Sequence, residues 1–285
     1  MSLDTNNLLI DSMIKKNKVK SIIKNLLEKI DLYENVRYSI PYSIYLRFSN
    51  PSYLKSLDDD FKFYKSLIGI NKNLLIFDIG AFHGDKTAVF LRLGAKVVSV
   101  EPDRKSLEVL KVRFGNNKNV VIIGKAVSYK AGIEKFYIEK KGSAYNTLSS
   151  TWKESLEHQE INKLGLKMDF HSSYNVETAT LDSLIRQFGV PYYIKIDVEG
   201  YEYNAIQRLS QRVPLLSFEV NAPVFKQEII DCLNHLHKIA SQSKFNYSVT
   251  NKLELGDFVC YAEFMNFFHK TELRYMEIYC KMAVN

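Results

Sequence analysis

The segment Ile76-Phe77-Asp78-Ile79-Gly80-Ala81-Phe82-His83-Gly84 holds the residues best spaced for chemistry: an apolar run, a carboxylate and two glycines, followed by a helical pattern. That order predicts a strand entering a tight turn and then a helix, the geometry that holds a nucleotide at the carboxyl end of a strand. A dinucleotide site reads GxGxxG, so that the backbone can approach an anionic pyrophosphate. Here the spacing is DxGxxxG, with Asp78 two residues before Gly80. Asp78 would repel a pyrophosphate, but it favours the cationic sulfonium and ammonium groups of S-adenosylmethionine. Glu101 follows about twenty residues beyond Gly80, at the end of the next apolar run, where an acid can accept hydrogen bonds from both ribose hydroxyls. Pro102 then stops the strand. Taken singly, the glycines could be turn formers and Glu101 a strand-end charge. Strand, turn, helix and acid in register point to an adenosyl cofactor.

A second constellation is Lys195-Ile196-Asp197-Val198-Glu199-Gly200-Tyr201-Glu202. Period-two alternation puts Lys195, Asp197 and Glu199 on one side of a strand. Methyl transfer from a sulfonium is a direct displacement, so alignment of the acceptor supplies much of the acceleration, and an alcohol acceptor must also lose its proton. Asp197 and Glu199 are the candidates for positioning or accepting that proton, with Lys195 orienting one of them. The competing reading is a structural Lys195–Asp197 ion pair. Glu219 ends the following strand and, with Asp197 and Glu199, offers oxygen ligands of the kind magnesium takes. Strand-end carboxylates need no ion, so no metal site is assigned. Glu202 reads as a first-turn helix charge. His235 and His237 lie two apart on a predicted helix and cannot share a metal from one face. His83 reads as a loop residue near the methionine end of the cofactor, and His158 and His171 fall in a long insertion.

Alternating strands and helices from Asn73 predict a parallel sheet. The strands are Leu74–Asp78, Lys96–Val100, Val120–Ile123, Glu134–Ile138, Val176–Thr180, Tyr192–Asp197 and Pro214–Val220. The helices between them are Thr87–Leu93, Arg104–Phe114, Leu181–Phe188 and Val224–Ile239, with a polar one over Trp152–Leu164. Gly94 and Gly115 stop two of the helices and suit left-handed caps. Phe245–Thr250 and Phe258–Phe264 predict an antiparallel hairpin at the sheet edge, and Asn266–Lys281 a final helix. The insertion from Lys140 to Tyr174 exceeds ordinary loop length and predicts a lid. Residues 1–72 read as a helical extension, with helices over Leu8–Tyr33 and Asp58–Ile68, and residues 73–285 as the Rossmann-like domain.

The composition is globular, with 46% hydrophobic and 25% charged residues among 285. A formal charge of +7 raises the question of nucleic acid. Lys15, Lys16, Lys18, Lys20 and Lys24 lie on the N-terminal helical stretch, and no Arg-rich cluster or RNP-like motif accompanies them. Cys232, Cys260 and Cys280 form no CxxC pair, which points to reduced thiols and a cytoplasmic address. No apolar run reaches membrane-spanning length. The sequence leaves the oligomeric state open.

The chain resembles the FkbM family of methyltransferases through Phe77-Asp78-Ile79-Gly80-Ala81 with Gly84 and Thr87, Val100-Glu101-Pro102 and Ala126-Val127-Ser128. It does so further through Thr180-Leu181-Asp182-Ser183-Leu184 and Ile194 to Glu202, over roughly residues 73–222. The resemblance implies a class I methyltransferase fold: a mostly parallel seven-stranded sheet using S-adenosylmethionine. It also implies O-methylation of a hydroxyl on a sugar, glycan or related small molecule. The cofactor residues would be Asp78, Gly80, Ala81, Phe82, Gly84, Glu101, Pro102 and Ala126. Many class I enzymes place an acid after the third strand for the adenine amino group. This chain has Gly124-Lys125-Ala126 there, so backbone around Ala126 takes that contact. The alternatives are an RNA or protein methyltransferase, suggested by charge alone, and a non-catalytic module that keeps the fold.

Overall fold

A computed structural model describes residues 50–70, 74–158, 168–221 and 224–283, together with Ile22, Asn25, Leu26 and Val36. Of the predicted helix over Leu8–Tyr33, Ile22, Asn25 and Leu26 are described and are helical, and its other residues, with the end of the helix predicted over Trp152–Leu164, lie outside the described residues. Helix α1 runs Pro51–Ile68, seven residues longer than the pattern from Asp58 suggested, because proline is tolerated in the first turn of a helix. The sequence texture changes at Asn73, whereas packing draws a boundary between Leu54 and Lys55. The physical reason is that Phe63, Tyr64 and Ile68 of α1 are buried against the sheet.

The main elements then follow in order: β1 (Leu75–Ile79), α2 (Asp85–Arg92), β2 (Lys96–Val100), α3 (Arg104–Phe114), β3 (Val120–Ile123), β4 (Ala126–Val127), β5 (Gly132–Ile138), α4 (Ser150–His158) and β6 (Ser172–Ala179). After these come α5 (Leu181–Phe188), β7 (Tyr193–Ile196), α6 (Glu202–Ile206), β8 (Leu215–Asn221), α7 (Lys226–Ile239), β9 (Lys244–Ser248), β10 (Val259–Cys260), α8 (Tyr261–Lys270) and β11 (Tyr275–Lys281). The large sheet has the order β10-β9-β11-β8-β7-β1-β2-β3. Seven strands carry it and the two-residue β10 adds an edge. β3, β2, β1, β7 and β8 are mutually parallel, and β11 is antiparallel to β8 and β9. This is the mostly parallel sheet that the resemblance implies. A separate small sheet, β4-β6-β5, takes in the strands predicted at 134–138 and 176–180.

Two expectations for the C-terminus are corrected. Tyr261–Lys270 is helical, since Phe264 and Phe268, four apart, are buried on one face. Tyr275–Lys281 is a strand and not a helix; Met276, Ile278 and Cys280 alternate and are buried. Instead of a simple edge hairpin, β11 inserts between β8 and β9. Gly94 has the left-handed φ expected of a cap, but Gly115, at φ −56°, stays in the right-handed region.

Apolar side chains cover both faces of the sheet. Phe77, Ile79, Ile194, Ile196 and Phe218 pack under α5 and α7, while Ile76, Val97, Tyr193 and Leu215 pack under α1 and α2. Along this second face the register also aligns a polar row: Ser99, Asp78, Lys195, Ser217 and Tyr279. The strand order reverses between β1 and β7, the point where open α/β sheets hold ligands.

Candidate active site

Beyond the carboxyl ends of β1, β2 and β7 lies a cleft of about 140 Å³. It is lined by Gly80, Phe82, Glu101, Pro102 and Ala126 from the predicted cofactor set, and by Asp197 and Glu199 from the predicted catalytic set. Gly80 and Asp197, 117 residues apart in sequence, are thus brought to one opening by the pairing of β1 with β7.

Gly80 explains how they come so close. Its φ is +78°, and a Cβ placed on it would fall 1.7 Å from the Asp197 carbonyl oxygen. The strand end cannot yield, because Asp197 N donates to Ile79 O at 3.0 Å and Gly80 N donates to Val100 O at 2.9 Å. Gly84, at φ +81°, serves packing: a Cβ there would meet Phe114 and Leu110 of α3. Gly84 and Ala81 do not line the cleft.

Nor does Asp78. It is buried behind the turn, where Thr87 Oγ1 donates to its Oδ2 at 2.6 Å. Since Thr87 has one hydroxyl hydrogen, Ser99 must donate to Thr87 across their 2.8 Å contact. Burial pushes the Asp78 carboxyl up, against the pull of the Lys195 charge and the Thr87 hydrogen bond. Its carboxylate is bonded to α2, because period-two alternation turns Asp78 toward the α1–α2 face.

Glu101 is held by two backbone donors, Phe82 N to Oε2 and Asp103 N to Oε1, each at 2.8 Å. Burial nevertheless pushes its carboxyl up to about 8. Each oxygen keeps a further lone pair for a ligand hydroxyl. The sequence reading missed Asp103 and Asn146, which also line the cleft. Asp103 caps α3 by accepting from Ser106 N, and its other oxygen accepts from Asn146 Nδ2 at 3.1 Å. An Asp directly before the helical run Arg104–Phe114 was the available signal. Ser143, Ala144, Asn146 and Leu148 bring the start of the predicted lid over the cleft. Lys125, where many related folds carry an acid, lines it as well and pairs with Glu177 at 2.9 Å.

At the catalytic end, Lys195 Nζ lies 2.7 Å from Asp197 Oδ2. Burial works against the lysine's charge, but Asp197, Glu277 and Asp78 outweigh it and raise Lys195 well above its ordinary value. Burial works to raise Asp197, yet Lys195 and a hydrogen bond with Glu219 hold it at about 2. Glu199 goes the other way: burial and the Asp197 charge push it well up. Glu219 rises for the same reasons. Carboxylate oxygens of Asp197, Glu199 and Glu219 lie within 4.8 Å of one another. Like charges this close raise one another's affinity for a proton.

β7 ends at Ile196, and Glu199 sits in a turn at φ +53°, a conformation uncommon outside glycine. The turn is held from outside: Thr147 donates to Glu199 O at 2.7 Å, and Tyr201 donates to Glu134 of β5 at 2.6 Å. Glu202 is buried rather than solvated, accepts from Val198 N and is pushed up to about 7 by burial. Four of the histidines have these partners. His83 stacks on Phe82, His171 pairs with Asp169, His235 contacts Leu209 O, and His237 stacks on Tyr261.

A family model described as the methyltransferase FkbM domain matches residues 78–245, more than half of the chain. The chain belongs to the FkbM methyltransferase family. It is an S-adenosylmethionine-dependent methyltransferase, and the cleft suits that cofactor: Glu101 offers hydroxyl acceptors, and the carboxylates at the β7 end complement a cation. No curated protein sequence matches the chain. Solved structures of similar fold include precorrin-6y C5,15-methyltransferase from Geobacter metallireducens, at 8% identity, covering 81% of this chain and 87% of that one, TM-score 0.40. Others are the plantazolicin methyltransferase BpumL in complex with SAH (11%, 93% and 99%, TM-score 0.40) and a TehB-like SAM-dependent methyltransferase from Corynebacterium glutamicum (9%, 79% and 88%, TM-score 0.39). At such distances the family match decides. Among the described residues no helix is long and apolar enough to cross a membrane.

Proposed function

We propose that this FkbM methyltransferase is a cytoplasmic enzyme that methylates a hydroxyl on a sugar, glycan or related small molecule. The observation that supports this reading is the shared cleft, in which Asp197 and Glu199 stand beside Gly80 and Glu101. S-adenosylmethionine, when bound, supplies a methyl group activated by its sulfonium. Glu101 accepts from the ribose hydroxyls, and the backbone near Gly80, Phe82, Pro102 and Ala126 forms the walls. Asp197, kept ionised by Lys195, accepts a hydrogen bond from the incoming hydroxyl and fixes its direction of approach. Glu199 takes the proton as the new O–C bond forms. A carboxyl pushed upward binds a proton more firmly than one held at about 2, so the proton is assigned to Glu199 and not to Asp197.

The second reading, a purely structural Lys195–Asp197 pair, is favoured by the 2.7 Å contact and the burial of Lys195. One set of measurements separates the two. A mass-spectrometric screen for the gain of one methyl group, across sugars, nucleotide sugars and glycolipid fragments, first finds an acceptor. Asp197→Asn is then expected to keep its affinity for S-adenosylmethionine while turnover falls roughly 10²–10⁴-fold. A lower melting temperature with proportionate activity in the folded fraction supports the structural pair, since a lysine would be left unpaired. A stable variant with wild-type turnover removes both roles.

A further inference from the structure

The family match ends at residue 245, well before β11 begins at Tyr275. β11 nevertheless lies inside the sheet and sets Glu277 directly opposite Glu219 of β8. Ser217 of β8 is opposite Lys195 on one side and Tyr279 on the other. Opposed side chains on neighbouring strands have Cβ atoms about 4.5–5.5 Å apart, and diagonal ones about 7–8 Å. Glu277 is therefore the diagonal neighbour of Ser217, and Lys195 is the next residue along the same row. Ser217 Oγ donates to Glu277 Oε1 at 2.7 Å. That uses its one hydrogen, so Tyr193, at 2.6 Å, must donate to Ser217. The Glu277 carboxylate is thus fixed to Ser217, which stands next to the buried lysine in the same row.

Lys195 is faced by Asp197 at the end of its own strand, Asp78 from β1 and Glu277 from β11. Glu199, Glu219 and Glu202 act on Asp197 or on each other from the cleft side, Lys86 of α2 acts on Asp197, and the hydroxyls of Tyr193 and Tyr275 feel the Lys195 charge. Asp197 makes the direct ion pair, but Asp197 also lines the cleft and is the group an acceptor hydroxyl would engage. A buried ammonium whose one partner is drawn elsewhere is costly. A second anion on the far side removes that conflict.

We infer that Glu277 is a positioning residue of the methyl-transfer site: from β11, beyond ion-pair distance, its charge supports the Lys195 ammonium, so that Lys195 holds Asp197 in one orientation at the cleft. The inference rests on the roles proposed above for Lys195 and Asp197. It adds to them a residue from a strand beyond the family segment. Glu277 touches neither cofactor nor acceptor.

The test is the ionisation of Lys195 itself, which needs no acceptor. The full chain, labelled with [¹³Cε]-lysine, is titrated by NMR from neutral to strongly alkaline pH. The Lys195 resonance is assigned by its loss in Lys195→Arg, and circular dichroism marks the folded range. In the wild type the resonance is expected to stay flat while the surface lysines titrate. In Glu277→Gln it should titrate with at least a tenfold larger deprotonated fraction at a given pH. Ser217→Ala keeps the charge but frees the carboxylate, and should shift Lys195 in the same direction by less than Glu277→Gln does. A Lys195 curve in folded Glu277→Gln that matches the wild type overturns the inference, as does an equal shift in Ser217→Ala, which would place the effect in strand packing. Should Glu277→Gln fail to fold, Glu277→Asp draws the carboxylate back by one methylene. A shift of the same direction supports the inference, and an unchanged curve overturns it. A failure here leaves the turnover test of Asp197→Asn untouched, and the reverse also holds, so the two readings fall separately.

Discussion

Gly80→Ala puts the closeness of β1 and β7 to a direct test. The added methyl carbon would sit 1.7 Å from the Asp197 carbonyl oxygen, where real Cβ contacts stay above 3.0 Å. Something must therefore move by more than an ångström, and the obstacle is backbone pinned by the Asp197 N to Ile79 O bond. Two costs add. A left-handed φ disfavours any residue with a Cβ by about 1–2 kcal/mol. Overpacking against an unyielding neighbour costs about 1–3 kcal/mol more. Gly256 supplies the control, because its φ is +69° and nothing lies within 4 Å of its would-be Cβ. Gly256→Ala thus carries the first cost alone. In urea unfolding, Gly80→Ala is expected to lose about 1–3 kcal/mol more than Gly256→Ala, a large share of the roughly 5–15 kcal/mol that holds a domain together. Calorimetry should show weakened S-adenosylmethionine binding in Gly80→Ala and unchanged binding in Gly256→Ala. Equal stability loss in the two variants, with binding intact in both, would refute the argument from close approach.

Two further outcomes follow from the site. Burial holds the Glu101 carboxyl up to about 8, and only the ionised form accepts from both ribose hydroxyls. Raising the pH through that value should therefore strengthen S-adenosylmethionine binding, up to about tenfold between pH 7 and pH 9. Glu101→Gln, measured by the same titration, should lack that component of the rise and bind more weakly by about 1–3 kcal/mol; an identical pH profile would remove the ribose assignment. As to metal, proton sharing among Asp197, Glu199 and Glu219 is expected to leave methyl transfer intact after EDTA treatment. Activity lost and then restored by magnesium would instead assign an ion to those three carboxylates.

The turn from Asp78 to Gly84 and the acid at Glu101 were legible in the sequence, because each depends on local order. An apolar run, a glycine that permits positive φ and a helix start lie within a dozen residues. Asp197 was legible in the same way, whereas Glu199 lies in the turn beyond β7, past the reach of strand alternation. Direction was harder. The bond of Asp78 to Thr87 was not legible, since the face a strand residue takes depends on which helices cover the sheet. Tyr275–Lys281 read as a helix because a strand buried on both faces loses the polar alternation that marks an exposed one. Its insertion between β8 and β9 is a matter of long-range pairing, which leaves no trace in local spacing. Glu277 therefore had no signal of its own: only when β11 pairs with β8 does its carboxylate reach Ser217 and the Lys195 charge. The sequence by itself determined the local turn at Gly80 and the carboxylates placed at Glu101 and Asp197. The tertiary structure decided which of them share a cleft and which charges hold them there, because a buried ion's energy is set by neighbours that only the folded sheet brings together.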